Sequence, residues 1–262
     1  MTQTLDVSPT GAPVEPEGRV FIREGFRWDA FDAYLFDIDG TLLRSIDRVH
    51  YNSFFSSVKA ETGRDLLLDG VVVHGNTDPG ILRDAFRIEK RDESEWQDAM
   101  GGILDRMRET VANQRADMAV RLMPGVEAVL EHLRHRGAKL GVATGNLEAI
   151  GWLKLEVAGL REWFAFGGFS DSYSVRSEMI GHAAALARAI AGENSTVCVV
   201  GDTPFDISAA KANRLAAIAV ATGNYGFDEL LNCGPDACTT TLRGLLDQTP
   251  QDDNSTRSEY EA

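Results

Sequence analysis

Hydrophobic positions along the chain follow two patterns. Ala33-Tyr34-Leu35-Phe36, Leu140-Gly141-Val142-Ala143 and Val197-Cys198-Val199-Val200 are short unbroken apolar runs, the pattern of strands buried on both faces. Each stops at polar residues: Asp37 after the first, Thr144 after the second, Gly201-Asp202 after the third. Elsewhere the apolar residues recur at helical spacing. Val49, Phe54, Phe55 and Val58 predict a helix from Val49 to Glu61, a second is predicted from Ile81 to Ile88, and Met100, Ile103, Leu104, Met107 and Val111 predict a third from Trp96 to Asn113. A further helix is predicted from Val126 to Arg136, ended by Gly137.

The first two runs lie much farther apart than a crossover between parallel strands requires. Something is inserted there, and its pattern is helical apart from one strand signal, Val71-Val72-Val73. Pro124-Gly125 marks the return to the core. At the amino end Pro9, Pro13 and Pro16 among small polar residues read as a flexible arm, and the stretch after Gln248 reads as a disordered tail. Residues 19–32 are mixed, with Phe21, Ile22, Phe26 and Trp28 available to pack on the core.

The chemistry sits where the strands end. Asp37 and Asp39 are two acids at the carboxyl end of a strand, the edge where open α/β sheets bind ligands. Like charges so close repel, so the pair persists with a cation, a proton or a phosphoryl group as part of the site. A carboxylate can attack phosphorus, and a second can move protons to the leaving group and from water. A solvated acidic turn is the alternative for Asp37-Ile38-Asp39-Gly40-Thr41 alone.

Taken in order, Asp37 to Leu42, Thr144, and Gly201-Asp202-Thr203 with Asp206 resemble the motifs of the haloacid dehalogenase-like superfamily, and the resemblance continues through Ile218-Ala219-Val220-Ala221-Thr222-Gly223. It implies an α/β fold: a Rossmann-like doubly wound parallel sheet at 19–43 and 122–247, a smaller, mostly helical cap at 44–121, an arm at 1–18 and a tail at 248–262. The cap position is similar to that of phosphoglycolate phosphatase-like and β-phosphoglucomutase-like members. The implied activity is hydrolysis of a small phosphorylated metabolite, with Asp37 as nucleophile and Asp39 as acid and base. Asp37, Asp39 (through its carbonyl) and Asp202 would hold magnesium, with Asp206 behind them. Thr144, Gly145 and Asn146 would bind phosphoryl oxygens, and Arg176, ahead of Lys154 and Arg188, is the best match to the superfamily's lone cation. Asn76 and Thr77 in the cap are candidates for substrate contact.

Structural alternatives stand beside these roles. Asp78-Pro79 fits an ordinary helix start with Asp78 as N-cap. Thr144 fits a plain strand end, Asn146 an N-cap, Arg176 a solvated surface residue, and Asp206 an acid in a helix's first turn. Asp39 argues against a dehalogenase. A phosphomutase with His50 as its extra group, and a binding module that has lost its chemistry, are the competing functions.

Composition narrows this little. Of 262 residues 44% are hydrophobic and 25% charged, which is ordinary for a globular chain. The net charge of -14 argues against nucleic acid or an anionic membrane as partner and requires local cations to draw in an anionic substrate. No apolar stretch approaches the ~20 residues of a membrane span. Three cysteines without a zinc-ligand pattern suggest a reducing compartment, and a cytoplasmic enzyme is expected. The oligomeric state is open.

Overall fold

The computed structural model describes residues 18–248. The expected arm and tail lie outside these residues except at their inner ends, Gly18 and Gln248. The strands are β1 (Val20–Ile22), β2 (Ala33–Phe36), β3 (Leu43–Ser45), β4 (Val120–Leu122), β5 (Lys139–Ala143), β6 (Phe166–Gly168), β7 (Val197–Gly201), β8 (Ala216–Val220) and β9 (Ala237–Thr239). The helices are α1 (Val49–Thr62), α2 (Asp78–Ile88), α3 (Glu93–Asn113), α4 (Val126–His135), α5 (Glu148–Val157), α6 (Arg176–Ala191), α7 (Pro204–Ala212), α8 (Phe227–Asn232) and α9 (Arg243–Leu246).

The main sheet has the order β1-β9-β8-β7-β2-β5-β6. All its pairings are parallel except the edge pair β1 and β9. The period of two along a strand sends alternate residues of β2 to opposite faces. Tyr34 and Phe36 enter a cluster with Val129, Leu130 and Leu133 of α4, while Ala33 and Leu35 enter another with Met179, Ile180 and Ala183 of α6. Helices therefore cover both faces, as the buried runs require. The chain leaves β2 for β5 and β6 on one side and returns to β7 on the other. This reversal puts a crevice at the carboxyl ends of β2, β5 and β7.

β3 and β4 pair antiparallel and form the stem of the inserted segment. Its helices α1, α2 and α3 share a third hydrophobic cluster, built on Phe54, Val58, Leu82, Phe86, Ile103 and Met107. Leu147 and Ile150 of the core belong to that same cluster, so one apolar seam joins insertion and core. Among the described residues no helix is long and apolar enough to cross a membrane.

Three local expectations are corrected. Val71-Val72-Val73 is not a strand: it turns back through Val71 N–H to Leu68 O at 3.0 Å. Among the described residues no strand lies beside it to complete a ladder, and strand propensity without a partner decides little. Asp78 is not an N-cap. Thr77 takes that place, its hydroxyl accepting from Gly80 N–H at 3.0 Å, which frees the Asp78 carboxylate for longer contacts. Asn146 does not cap α5 either; Leu147 holds that position, and its N–H donates to Asp78 Oδ2 at 2.9 Å. Replacing Thr77 by Ala is expected to cost about 1 kcal/mol in urea denaturation while leaving the Michaelis constant for any substrate unchanged.

Candidate active site

A cavity of about 410 Å³ lies between the insertion and the carboxyl ends of the central strands. Asp37 follows β2 directly and is held by its N–H bond to Val200 O at 2.9 Å. Asp202 follows β7 beside it, and Asp206 lies in the first turn of α7. One oxygen of each of these three buried acids lies within 4.8 Å of the others. Gly40, at φ +92°, makes the turn between Asp39 and Thr41, and a Cβ there would run into the Asp202 carboxylate. Glycine is required by both the left-handed backbone and the close approach.

The cations are as buried as the acids. Arg176, 6% exposed at the start of α6, places Nη2 3.0 Å from Asp37 Oδ1 and 2.5 Å from Asp206 Oδ1. Its Nη1 also donates to Gly75 O of the insertion at 3.2 Å. Asp206 Oδ2 accepts from the Thr203 hydroxyl at 2.7 Å in a capping box. Both Asp206 oxygens are thus engaged, and they aim Arg176 at Asp37. The Thr41 hydroxyl donates to Asp202 Oδ1 at 2.9 Å.

Burial lifts the Asp37 carboxyl to about 6 against the pull of Arg176, with Asp206 and Asp39 adding to the rise. Burial, then Asp37 and Asp206, raise Asp202 well above the usual carboxylate range. Burial works against charge on Arg176 too, but Asp206 and Asp37 outweigh it and hold the guanidinium more firmly protonated. Asp39 differs. Its side chain is 40% exposed to the cavity, and although its surroundings raise its carboxyl by desolvation, the Lys154 ammonium and hydrogen bonds from Lys154 and Asn146 bring it below the usual range.

Beyond β5 the cavity is lined by Thr144, Gly145 and Asn146. Asn146 Nδ2 donates to Thr144 Oγ1 at 2.7 Å and to Asp39 Oδ2 at 2.8 Å. The Thr144 hydroxyl hydrogen is left to reach an anion. The insertion closes down on this loop: Asp78 N–H donates to Gly145 O at 2.8 Å, and a Cβ at Gly145 would collide with Asn76 O. Arg83 of α2 also reaches out of the insertion, donating to Ser174 O at 3.0 Å.

A family model of haloacid dehalogenase-like hydrolases matches residues 31–213, which include every strand-end acid described above. The chain belongs to the haloacid dehalogenase-like hydrolases. It is 26% identical to a phosphoglycolate phosphatase of Synechococcus elongatus over 84% of this chain and 97% of that one. It is 25% identical to a phosphoglycolate phosphatase of Chromobacterium violaceum over 82% of this chain and 95% of that one. A hydrolase from Pseudomonas syringae, 18% identical, has a similar fold, with a TM-score of 0.62 over 82% of this chain and 96% of that one.

Within this haloacid dehalogenase-like frame the structure brings Asp37, Asp39, Asn76, Thr144, Gly145, Asn146, Arg176 and Asp202 to one cavity. Thr77 does not line it. Thr77 is fully buried and its hydroxyl caps α2, so it is not placed to touch a substrate. The Asn76 side chain is engaged by its own loop and by α2, accepting from Thr77 N–H and donating to Val72 O and to Asp84. Arg176 is no solvated surface residue.

Lys154, ranked behind Arg176 in the sequence, His50, named there only for the competing phosphomutase, and Asp78, read there only as a helix cap, form the rest of the site. One signal was available for Lys154: it falls four residues after Ile150 on the buried stripe of α5, where a lysine is out of place. For His50 the signal was its place shortly after the first motif; Asp78 offers none, because its contacts join distant segments.

The donor set suits a hard divalent cation. Asp37 and Asp202 each have one oxygen not taken by Arg176 or Thr41. Burial first, and the neighbouring acids second, raise both carboxyls, and a bound cation would offset both effects.

Proposed function

We propose that the protein is a magnesium-dependent phosphatase that hydrolyses a small phosphomonoester through an aspartyl phosphate. The observation that carries this reading is Asp37 itself: a buried strand-end carboxylate with Arg176 on one oxygen, Asp202 beside it and the Thr144 loop lining the same cavity. The phosphoglycolate phosphatases among the relatives support the substrate class, an anionic phosphomonoester small enough for the cavity. The inserted helices act as the cap that closes it, and the domain limits expected from the sequence, a cap at 44–121 between core segments 19–43 and 122–247, belong to the same proposal.

In this mechanism the Thr144 hydroxyl and the start of α5 hold the phosphoryl oxygens. Asp37 attacks phosphorus in line, and the leaving oxygen takes a proton from Asp39, which Lys154 and Asn146 keep ionised before substrate binds and which first receives that proton from the monoanionic ester. The resulting acyl phosphate is cleaved by a water that gives its proton back to Asp39, so the two steps close the cycle. Arg176 offsets the charge gathered at Asp37 and the phosphoryl group. Magnesium, held by the Asp37 and Asp202 carboxylates and the Asp39 carbonyl, would supply charge neutralisation between nucleophile and phosphate.

A phosphomutase is kept as a second reading because His50 is not a surface residue: it lines the cavity with its side chain 15% exposed. Both its ring nitrogens, however, are engaged by Lys154 and Asp78, which favours water as the acceptor. The test is a panel of small phosphomonoesters, including 2-phosphoglycolate and glucose phosphates, with and without magnesium. Metal-dependent release of inorganic phosphate is expected, highest for small carboxylated esters. Isomerised sugar phosphate without free phosphate would establish the mutase, and inertness toward the whole panel would favour the binding module.

A further inference from the structure

Lys154 is 2% exposed, and its stem runs among the apolar residues that join α5 to the inserted helices. Burying an ammonium is costly unless each of its protons finds a partner. Here all three do. Nζ donates to Asp39 Oδ2 at 2.6 Å, to Asn146 Oδ1 at 2.8 Å and to His50 Nδ1 at 3.1 Å. Because His50 Nδ1 accepts, its proton lies on Nε2, which donates to Asp78 Oδ2 at 3.1 Å. Asp78 Oδ2 also receives the Leu147 N–H. An unbroken chain of polar contacts therefore runs from Asp39 in the core, through Lys154, to α1 and α2 of the insertion.

The effect on Asp39 is geometric. Lys154 and Asn146 both bind Oδ2, and Oδ1 is left as the oxygen that can meet a leaving group. Arg176 cannot do this work, since it is committed to Asp37, Asp206 and Gly75. We infer that Lys154 is a positioning residue of the reaction, fixing the Asp39 carboxylate with one oxygen held and one free, and doing so only while His50 of the closed insertion completes its coordination. This rests on the proposed function, in which Asp39 handles the proton of the leaving oxygen.

The test uses the full chain with magnesium and compares kcat/KM for two substrates: 4-nitrophenyl phosphate, whose leaving group departs without a proton, and the alkyl phosphate turned over fastest in the panel above. A general acid contributes on the order of 10²- to 10⁴-fold. Lys154→Met is expected to lower kcat/KM about 100-fold for the alkyl ester and less than about 5-fold for the nitrophenyl ester, with partial recovery in Lys154→Arg. If Lys154→Met does not fold, Lys154→Gln carries the same comparison. Equal losses on the two substrates, undiminished activity, or a wild type that cleaves only the nitrophenyl ester would each overturn the inference while leaving the phosphatase reading in place. A wild type that cleaves neither ester removes that reading and this inference together.

Discussion

Asp37→Asn is expected to cut phosphate release by a factor on the order of 10⁴ or more, about 5.5 kcal/mol in the barrier. The amide is close in shape to the carboxylate but has no charge and no useful nucleophilicity, so no acyl phosphate forms. A structural role for Asp37 predicts the reverse pattern, lost folding with residual activity in whatever remains soluble. Stability gives a second readout. The folded Asp37 carboxyl titrates at about 6, above its usual 3.8, so the folded state binds the proton more tightly than the unfolded chain does. The stability this group contributes is complete below the unfolded value and is lost as pH rises through about 6. In a chelator at neutral pH the Asn variant should therefore be the more stable protein, by at most about 3 kcal/mol, and the gain should shrink toward pH 4. Urea denaturation at the two pH values measures it. Unaltered turnover would remove Asp37 from the chemistry.

Asp202→Asn has the second largest expected effect. Asp202 is pressed between Gly40 and Gly223 and held on one oxygen by Thr41, so its other oxygen is aimed rather than free to swing. Burial and two neighbouring acids raise its carboxyl, and neutralising it should stabilise the metal-free protein by roughly 1 to 3 kcal/mol. In the wild type, magnesium at about 100 times its dissociation constant should add about 2.7 kcal/mol, a rise of roughly 5 to 10 °C in Tm for a domain of this size. The variant should show no such rise and should lose activity by a factor on the order of 10³. A magnesium-induced shift that survives the substitution would place the ion elsewhere.

What the chain revealed in advance follows from the range of the interactions concerned. Asp37, Thr144 and Asp202 each follow an apolar run that can only be a buried strand, and parallel strands bring such ends together, so their meeting was readable one segment at a time. The helices of the insertion were readable for the same reason. The edge strand β1 was not, because Val20-Phe21-Ile22 is extended by its antiparallel partner β9, more than two hundred residues on. Phe166-Gly167-Gly168 becomes a strand beside β5 although two of its residues are glycines. Thr77 and Asp78 are neighbours with the same capping chemistry, and only the approach of Leu147 decides that the threonine caps and the aspartate reaches across. Lys154 was passed over in favour of Arg176 because a single cation was sought, whereas the site uses one for each of its two working acids.

The apolar seam that places Leu147, the N-cap of α5, and Ile150 within it in the cluster of the inserted helices bears on how substrate enters. Any swing of the insertion about the β3 and β4 stem must return those two side chains to water, at about 1.5 to 3 kcal/mol each. Three kcal/mol already leaves fewer than about one molecule in a hundred open at a given moment. Under the proposed function the closed form is then expected to be the resting form, and the measured affinity for a substrate to be lowered in proportion to the rarity of molecules able to receive it.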